Sequence, residues 1–182
     1  LKKLEKYADK YGLTDLSGVE LTEAQPHVSD SDAVRSAIGQ GTNSYTPVQL
    51  SRYVSTISNG GTCYDLTLVD KVADPAQNNK VKNNKATVRN ELDIKSSTLN
   101  AIRSGMYMVV NNGSLKSVFQ KVPVKVAGKT GTAQISANEP NHALFVSYAP
   151  YDSPKISVAV VMPNAFTSSN AASLASNVYQ YY

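Results

Sequence analysis

Apolar residues recur at two periods along this chain, and the switches between them mark out its elements. Leu1, Leu4, Ala8 and Tyr11 fall at helical spacing with Gly12 as a stop, so residues 1–11 read as an amphipathic helix. Residues 12–38 are polar and irregular; within them Gly18-Val19-Glu20-Leu21 reads as a short strand and Asp30 to Ile38 as a short helix. Thr46-Pro47-Val48-Gln49 is a helix start, because Thr at the N-cap, Pro at the first helical position and Gln three after the cap satisfy orphan backbone donors together. Leu50, Tyr53, Val54 and Ile57 form its buried stripe, and Asn59-Gly60-Gly61 ends it.

Tyr64 to Val72 alternates as a strand does, and Asp74 to Asn90, rich in Asn and Lys, reads as a solvated hairpin or loop. Ser96 or Ser97 caps a helix whose stripe is Leu99, Ile102, Met106 and Val109 or Val110; Met106 is core filler, and Asn111-Asn112-Gly113 closes the helix. Val122, Val124 and Val126 then fall on one face of a period-2 ladder with Lys121 and Lys125 on the other, which predicts a half-buried strand running from Val122 to Ala133. Strands at Ala143–Tyr148 and Ile156–Met162 follow, divided by the polar loop Ser136–Asn141 and the turn Pro150–Pro154. Asn170 starts a last helix on Ala171, Leu174, Ala175, Val178 and Tyr182. Three consecutive strands on short turns pair antiparallel, with the helices before and after them covering one face. The expected fold class is α+β, an antiparallel sheet flanked by helices, with no internal repeat, linker or domain boundary.

Candidate chemistry appears where the third strand pattern stops being apolar, at Lys129-Thr130-Gly131-Thr132. Lys129 is a cation with three donors, Thr130 and Thr132 are hydroxyl donor-acceptors, and Gly131 has no side chain to keep a ligand or another backbone away. Such a strand end suits a ligand that carries a carboxylate. Lys-Thr-Gly alone is weak evidence, since average residue usage would produce it in roughly one chain in twenty of this length.

Composition removes several classes. At 182 residues, 41% hydrophobic and 18% charged, the chain has room for one domain with a real core and is neither fibrous nor disordered. A net charge of +4 mildly favours anionic partners, but no block of five like charges exists, which argues against nucleic acid. Cys63 is alone, so no internal disulfide or cysteine-based metal site can form, and it reads as a small buried residue. His27 and His142 lack partners at motif spacing and read as structural. There is no apolar run of 18 residues and no leader pattern at Leu1; an anchor or export signal is expected in sequence beyond these residues.

A second stretch gives Lys-Thr-Gly its context. Gly39-Gln40-Gly41 followed by Thr46-Pro47-Val48-Gln49-Leu50 resembles the Gly-Gln-Gly and Thr-Pro-x-Gln-Leu signature of penicillin-binding-protein transpeptidase domains. Asn59-Gly60-Gly61-Thr62, Gly105-Met106 and Phe145-Val146-Ser147-Tyr148-Ala149-Pro150 look like the same family in the same order, most of all its class B, monofunctional branch. Lys-Thr-Gly is the third motif of that family and of serine β-lactamases. The resemblance implies a partial transpeptidase fold and a peptidoglycan D,D-transpeptidase, which cross-links cell-wall stem peptides by serine acyl transfer and binds β-lactams.

Carried over residue by residue, the resemblance makes Lys129 and Thr132 catalytic and Lys129, Thr130, Gly131 and Thr132 substrate-binding. Lys129 would hold a positive field where negative charge binds and develops. Thr130 and Thr132 would hydrogen-bond the substrate carboxylate, Gly131 would let the ligand lie along the strand as an added strand does, and the Thr132 N–H would be half of an oxyanion hole. The family's nucleophile motif Ser-x-x-Lys does not occur in the chain. Ser136-Ala137-Asn138 and Ser168-Ser169-Asn170 fit its Ser-x-Asn motif but follow Lys129 instead of preceding it, and are read as chance. Residues 1–182 are therefore expected to be the C-terminal part of one transpeptidase domain, inactive alone. The implied partners are stem peptides, β-lactams and other cell-wall synthesis proteins, with no cofactor, no metal and no nucleic acid. The implied place is the extracytoplasmic face of a bacterial membrane, with membrane contact only through a segment outside these residues. Two other readings stand beside this one: a serine β-lactamase, which would not be expected to carry Gly39-Gln40-Gly41 with Thr46-Pro47-Val48-Gln49, and a penicillin-sensing or partner-binding module without turnover.

Overall fold

A computed structural model describes residues 1–77 and 80–182. Its centre is a three-stranded antiparallel sheet of β5 (Ala127–Ala133), β6 (His142–Ala149) and β7 (Ile156–Met162), in the order β5-β6-β7. The register sets Lys129 opposite Val146 and Gly131 opposite Leu144, so these share one face, while Thr130 and Thr132 share the other with Phe145 and Ala143. The α+β class and the antiparallel pairing are as the alternation requires. The helices, however, cover both faces of the sheet. Val54 and Ile57 of α3 (Pro47–Ser58) and Leu99 and Met106 of α4 (Ser96–Asn111) pack on Ala127 and Tyr148. On the other face α6 (Ser168–Tyr181) and the short α5 (Lys116–Phe119) bury Phe119, Ala171, Ala172, Ala175 and Tyr179 against Phe145, Ala143 and Ala149. A sheet whose two faces are both apolar needs a layer on each.

The strand predicted from Val122 begins only at Ala127. The register that puts Ala127 opposite Tyr148 would put Lys125 opposite Pro150, which has no N–H to donate. The Lys125 carbonyl instead accepts from Tyr151 N at 2.8 Å, and the Val126 carbonyl from Asn111 Nδ2 at 2.8 Å. The in-and-out alternation survives without the ladder: Val126 is buried, Val122 and Val124 half-buried, Lys121 and Lys125 exposed.

Other boundaries follow the same logic. The amphipathic N-terminal stretch forms α1 (Lys2–Lys10), and Asp32 caps the short α2 (Ala33–Ala37) by accepting from Arg35 N. Gly18–Leu21 is not a strand, and the strand expected over Tyr64–Val72 is broken into β1 (Thr62–Asp65) and β2 (Lys71–Asp74). The two segments are tied to each other. The Glu20 carboxylate accepts from the Thr67 hydroxyl and, at 2.8 Å, from Leu68 N, turning the backbone between the two strands. The stretch Asp74–Asn90 holds a hairpin of β2 with β3 (Lys80–Asn83), and its end belongs to β4 (Thr87–Glu91), which pairs with β1; Asn78 and Asn79 lie outside the described residues. Arg89 of β4 bonds Asp9 and Asp15, tying this strand to the end of α1, and its guanidinium holds the Asp9 carboxyl below the usual carboxylate range.

Two helix assignments need correction. The N-cap of α4 is Lys95, with no side-chain cap bond, so neither Ser96 nor Ser97 caps it. Helix α6 starts at Ser168 under a Thr167 cap, two residues before Asn170, and its buried face is Ala171, Ala172, Ala175, Ser176 and Tyr179. Leu174, Val178 and Tyr182 are exposed. Small residues let the helix axis approach the sheet, and the Tyr179 hydroxyl then reaches Ser147 Oγ at 2.9 Å across the interface. Burial raises the Tyr179 hydroxyl well above its usual range.

Candidate active site

Strand β5 is the end strand of its sheet, so its outer edge has no strand partner among the described residues. In an antiparallel ladder the N–H and C=O of one residue leave on the same side, and alternate residues face alternate sides. The Thr130 carbonyl accepts from Lys129 Nζ at 2.8 Å and the Thr132 carbonyl from Gln40 Nε2 at 3.3 Å, which identifies Thr130 and Thr132 as the residues that point outward. The free edge thus presents the backbone groups of two threonines, flanked by their hydroxyls on one face and the Lys129 ammonium on the other.

Behind Lys129 lies a groove of about 380 Å³. Tyr53 and Ile57 of α3, Ile102, Gly105, Met106 and Val109 of α4, and Val146 of β6 line it, and Lys129 is the charged residue at its wall. No carboxylate of the described residues pairs with Lys129. A cation at the wall of an apolar groove is well placed to attract an anionic ligand. Tyr53 carries the mark of the low-polarity surroundings, its hydroxyl pushed above the usual range by burial. Ile102, expected in the stripe of α4, is 38% exposed because this groove lies in front of it. Met106 is core, as expected, and also reaches the groove.

Two glycines of β5 differ in what they leave room for. A Cβ on Gly128 would run into the Phe145 ring and come within 3.0 Å of Ser147 Cβ. At Gly131 the nearest atom would be Leu144 Cβ at 3.3 Å, on the face that carries Lys129.

Four site residues read from the sequence therefore sit together on one strand, and the structure adds Gln40, 92 positions earlier in the chain, and the groove wall of α3 and α4. From the sequence, Gly39-Gln40-Gly41 reads as a loop packed close beneath a site, and the bond from Gln40 to the Thr132 carbonyl brings that loop to β5; which strand residue it meets had no local signal. His142 accepts from Asn164 N through Nδ1 at 3.3 Å, beside the loop that leads into α6. His27 bridges backbone to backbone with Ser44.

Fold and edge together define a class: an antiparallel sheet sandwiched by helices, with a Lys-Thr-Gly-Thr strand at its open edge beside an apolar groove. Comparison with known proteins names it. The family model of the penicillin binding protein transpeptidase domain matches residues 1–180, and the chain belongs to that family. Peptidoglycan D,D-transpeptidase MrdA of Haemophilus influenzae is 34% identical over 172 residues, covering 83% of this chain and 26% of that protein. Penicillin-binding protein H of Bacillus subtilis is 28% identical over 183 residues, covering 90% of this chain and 25% of the relative. The solved structure of penicillin-binding protein 2B from Streptococcus pneumoniae superposes with a TM-score of 0.83 at 29% identity, over 100% of this chain and 32% of that one. The class B resemblance drawn from the motifs holds at the level of the whole chain. The chain spans about a quarter of the length of the relatives it matches.

Proposed function

We propose that residues 1–182 are the C-terminal part of the transpeptidase domain of a peptidoglycan D,D-transpeptidase, contributing the strand along which the acyl-donor peptide or a β-lactam lies. The observation that carries this is the open edge of β5, where Lys129, Thr130, Gly131 and Thr132 stand beside an apolar groove in a chain of this family. The nucleophilic serine belongs to sequence outside these residues, since no Ser-x-x-Lys occurs within them.

In this reading the serine oxygen adds to the carbonyl of the last peptide bond of a stem peptide, that of its penultimate residue. The Thr132 N–H stabilises the oxyanion that forms, acting as a positioned donor where charge develops. The C–N bond breaks, the terminal residue leaves as an amine carrying the serine proton, and an ester remains. The amine of a second stem peptide then attacks the ester carbonyl, the C–O bond to serine breaks, the amine's proton passes to the departing serine oxygen, and the new amide is the cross-link. Lys129 supplies the positive field that draws and holds the substrate carboxylate, and the Thr130 and Thr132 hydroxyls hydrogen-bond to it. A β-lactam would follow the same route to a serine ester. The chain's place is the outer face of a bacterial membrane, with other cell-wall synthesis proteins as partners; among the described residues no helix is long and apolar enough to cross a membrane.

The test is acylation of the whole protein by a labelled penicillin. Lys129→Ala is expected to slow it by about 10² or more, the loss typical of one transition-state electrostatic contact. Acylation at the wild-type rate would refute the assignment of this strand.

A further inference from the structure

Resting on the reading of β5 as the ligand strand, we propose that Gln40 is a displaceable latch on its open edge, and through it a residue that sets which ligands the edge favours. The Gln40 carboxamide donates to the Thr132 carbonyl at 3.3 Å. Two features present it there. Gly39 and Gly41 bracket it with φ of 81° and 87°, a left-handed backbone that glycine adopts without strain, and a Cβ on Gly41 would come within 2.5 Å of Ser29 Oγ. The turn so formed is then pinned. Asn43 Nδ2 donates to the Gln40 carbonyl at 2.9 Å, Asn43 Oδ1 accepts from Ser29 N at 2.9 Å, and the Ser36 hydroxyl donates to Ser29 Oγ at 2.7 Å.

The backbone of Gln40 is held by two bonds, its N–H to the Arg35 carbonyl at 3.0 Å and its carbonyl to Asn43 Nδ2, whereas its side chain makes one to the strand, beyond the usual N–H···O range and beside an exposed threonine. That combination gives a contact which is always at hand and easily exchanged. It also blunts an edge that would otherwise be open to pairing with any passing strand.

The bond lies where a ligand would compete. A strand added antiparallel to an edge exchanges two bonds with one residue, its carbonyl on the N–H and its N–H on the carbonyl. A ligand with an amide N–H beside its reacting carbonyl would place the carbonyl on Thr132 N–H and the amide on Thr132 O, where Gln40 now sits. Such a ligand must exchange with the latch. One that lacks the amide leaves the latch closed.

The experiment measures second-order acylation of the whole protein by benzylpenicillin, which has an acylamino N–H, and by penicillanic acid, which has none. Gln40→Ala should raise the rate for benzylpenicillin roughly two- to tenfold, about the net worth of one hydrogen bond, and leave that for penicillanic acid unchanged. Gln40→Glu, whose carboxylate cannot donate to a carbonyl, should raise the ratio of the two rates likewise. A ratio unmoved in both variants, or an equal fall for both ligands as from loss of a strut, overturns the latch. Lys129→Ala in the same assay separates the two levels: normal acylation there would remove the strand reading itself, while slow acylation with an unmoved Gln40 ratio would remove the latch alone.

Discussion

Gly128 and Gly131 stand three residues apart on the same strand and meet opposite faces of the sheet, so they should answer differently to the same methyl group. The Phe145 ring that a Cβ on Gly128 would strike is itself buried, 5.7 Å from the Phe119 ring between centroids, and has no room to swing aside. Gly128→Ala is expected to destabilise the chain by about 1–3 kcal/mol, as overpacking does. Gly131→Ala asks Leu144 to give only a few tenths of an ångström and should shift the urea midpoint much less. Equal midpoints for the two variants would show that the face assignment along β5 is wrong. Neither outcome was legible beforehand: glycine in a strand signals close approach, and only the register says what approaches.

At the scale of elements, α3 shows how far local rules reach. Its capping box formed as the sequence required, with Gln49 N donating to Thr46 Oγ1 at 3.3 Å and Thr46 N to Gln49 Oε1 at 2.9 Å. Its burial did not follow a single stripe. Arg52 is fully buried on the side away from the sheet and donates to the carbonyls of Gly12, Asp15 and Leu16, closing the loop after α1 over the helix. Arg52→Met keeps the apolar stem and removes every donor, leaving those carbonyls without the guanidinium. A loss of at least about 3 kcal/mol in urea unfolding is expected, given the strength of hydrogen bonds to charged groups and the cost of stranded acceptors. A loss below about 1 kcal/mol would mean that the clamp contributes little beyond packing. Helix α6 makes the complementary case: Ala171 and Ala175 of the expected stripe are buried, but the larger Leu174 and Val178 are exposed, and Ala172, Ser176 and Tyr179 complete the buried face in their place.

At the scale of the molecule, the sheet is covered on both faces, yet the groove beside Lys129 and the exposed face of α6 at Leu174, Val178, Tyr181 and Tyr182 leave apolar surface uncovered. Contiguous exposed apolar surface marks a place where something else packs. In the proposed reading the 182-residue chain by itself should not be labelled by fluorescent penicillin at concentrations that label the whole protein, and it should bind an apolar-surface dye. Covalent labelling of the chain alone would require a serine nucleophile within it and would sink the reading. A chain that neither binds dye nor self-associates in sedimentation would show that these surfaces are too small to matter.

The sequence by itself determined what depends on short spacing: the helix periods, the capping box at Thr46, the three alternating strands and the Lys-Thr-Gly-Thr run, each set by contacts within a few residues. Tertiary structure decided what depends on partners far along the chain. Pro150 cut β5 short because of where it falls in the register, Glu20 broke a strand more than forty residues away, and Gln40 came to rest on Thr132. It also decided that Thr130 and Thr132 are residues of β5 whose backbone faces outward, because strand alternation fixes that two parities exist while only the partners their carbonyls meet in the fold, Lys129 Nζ and Gln40 Nε2, say which one remains open.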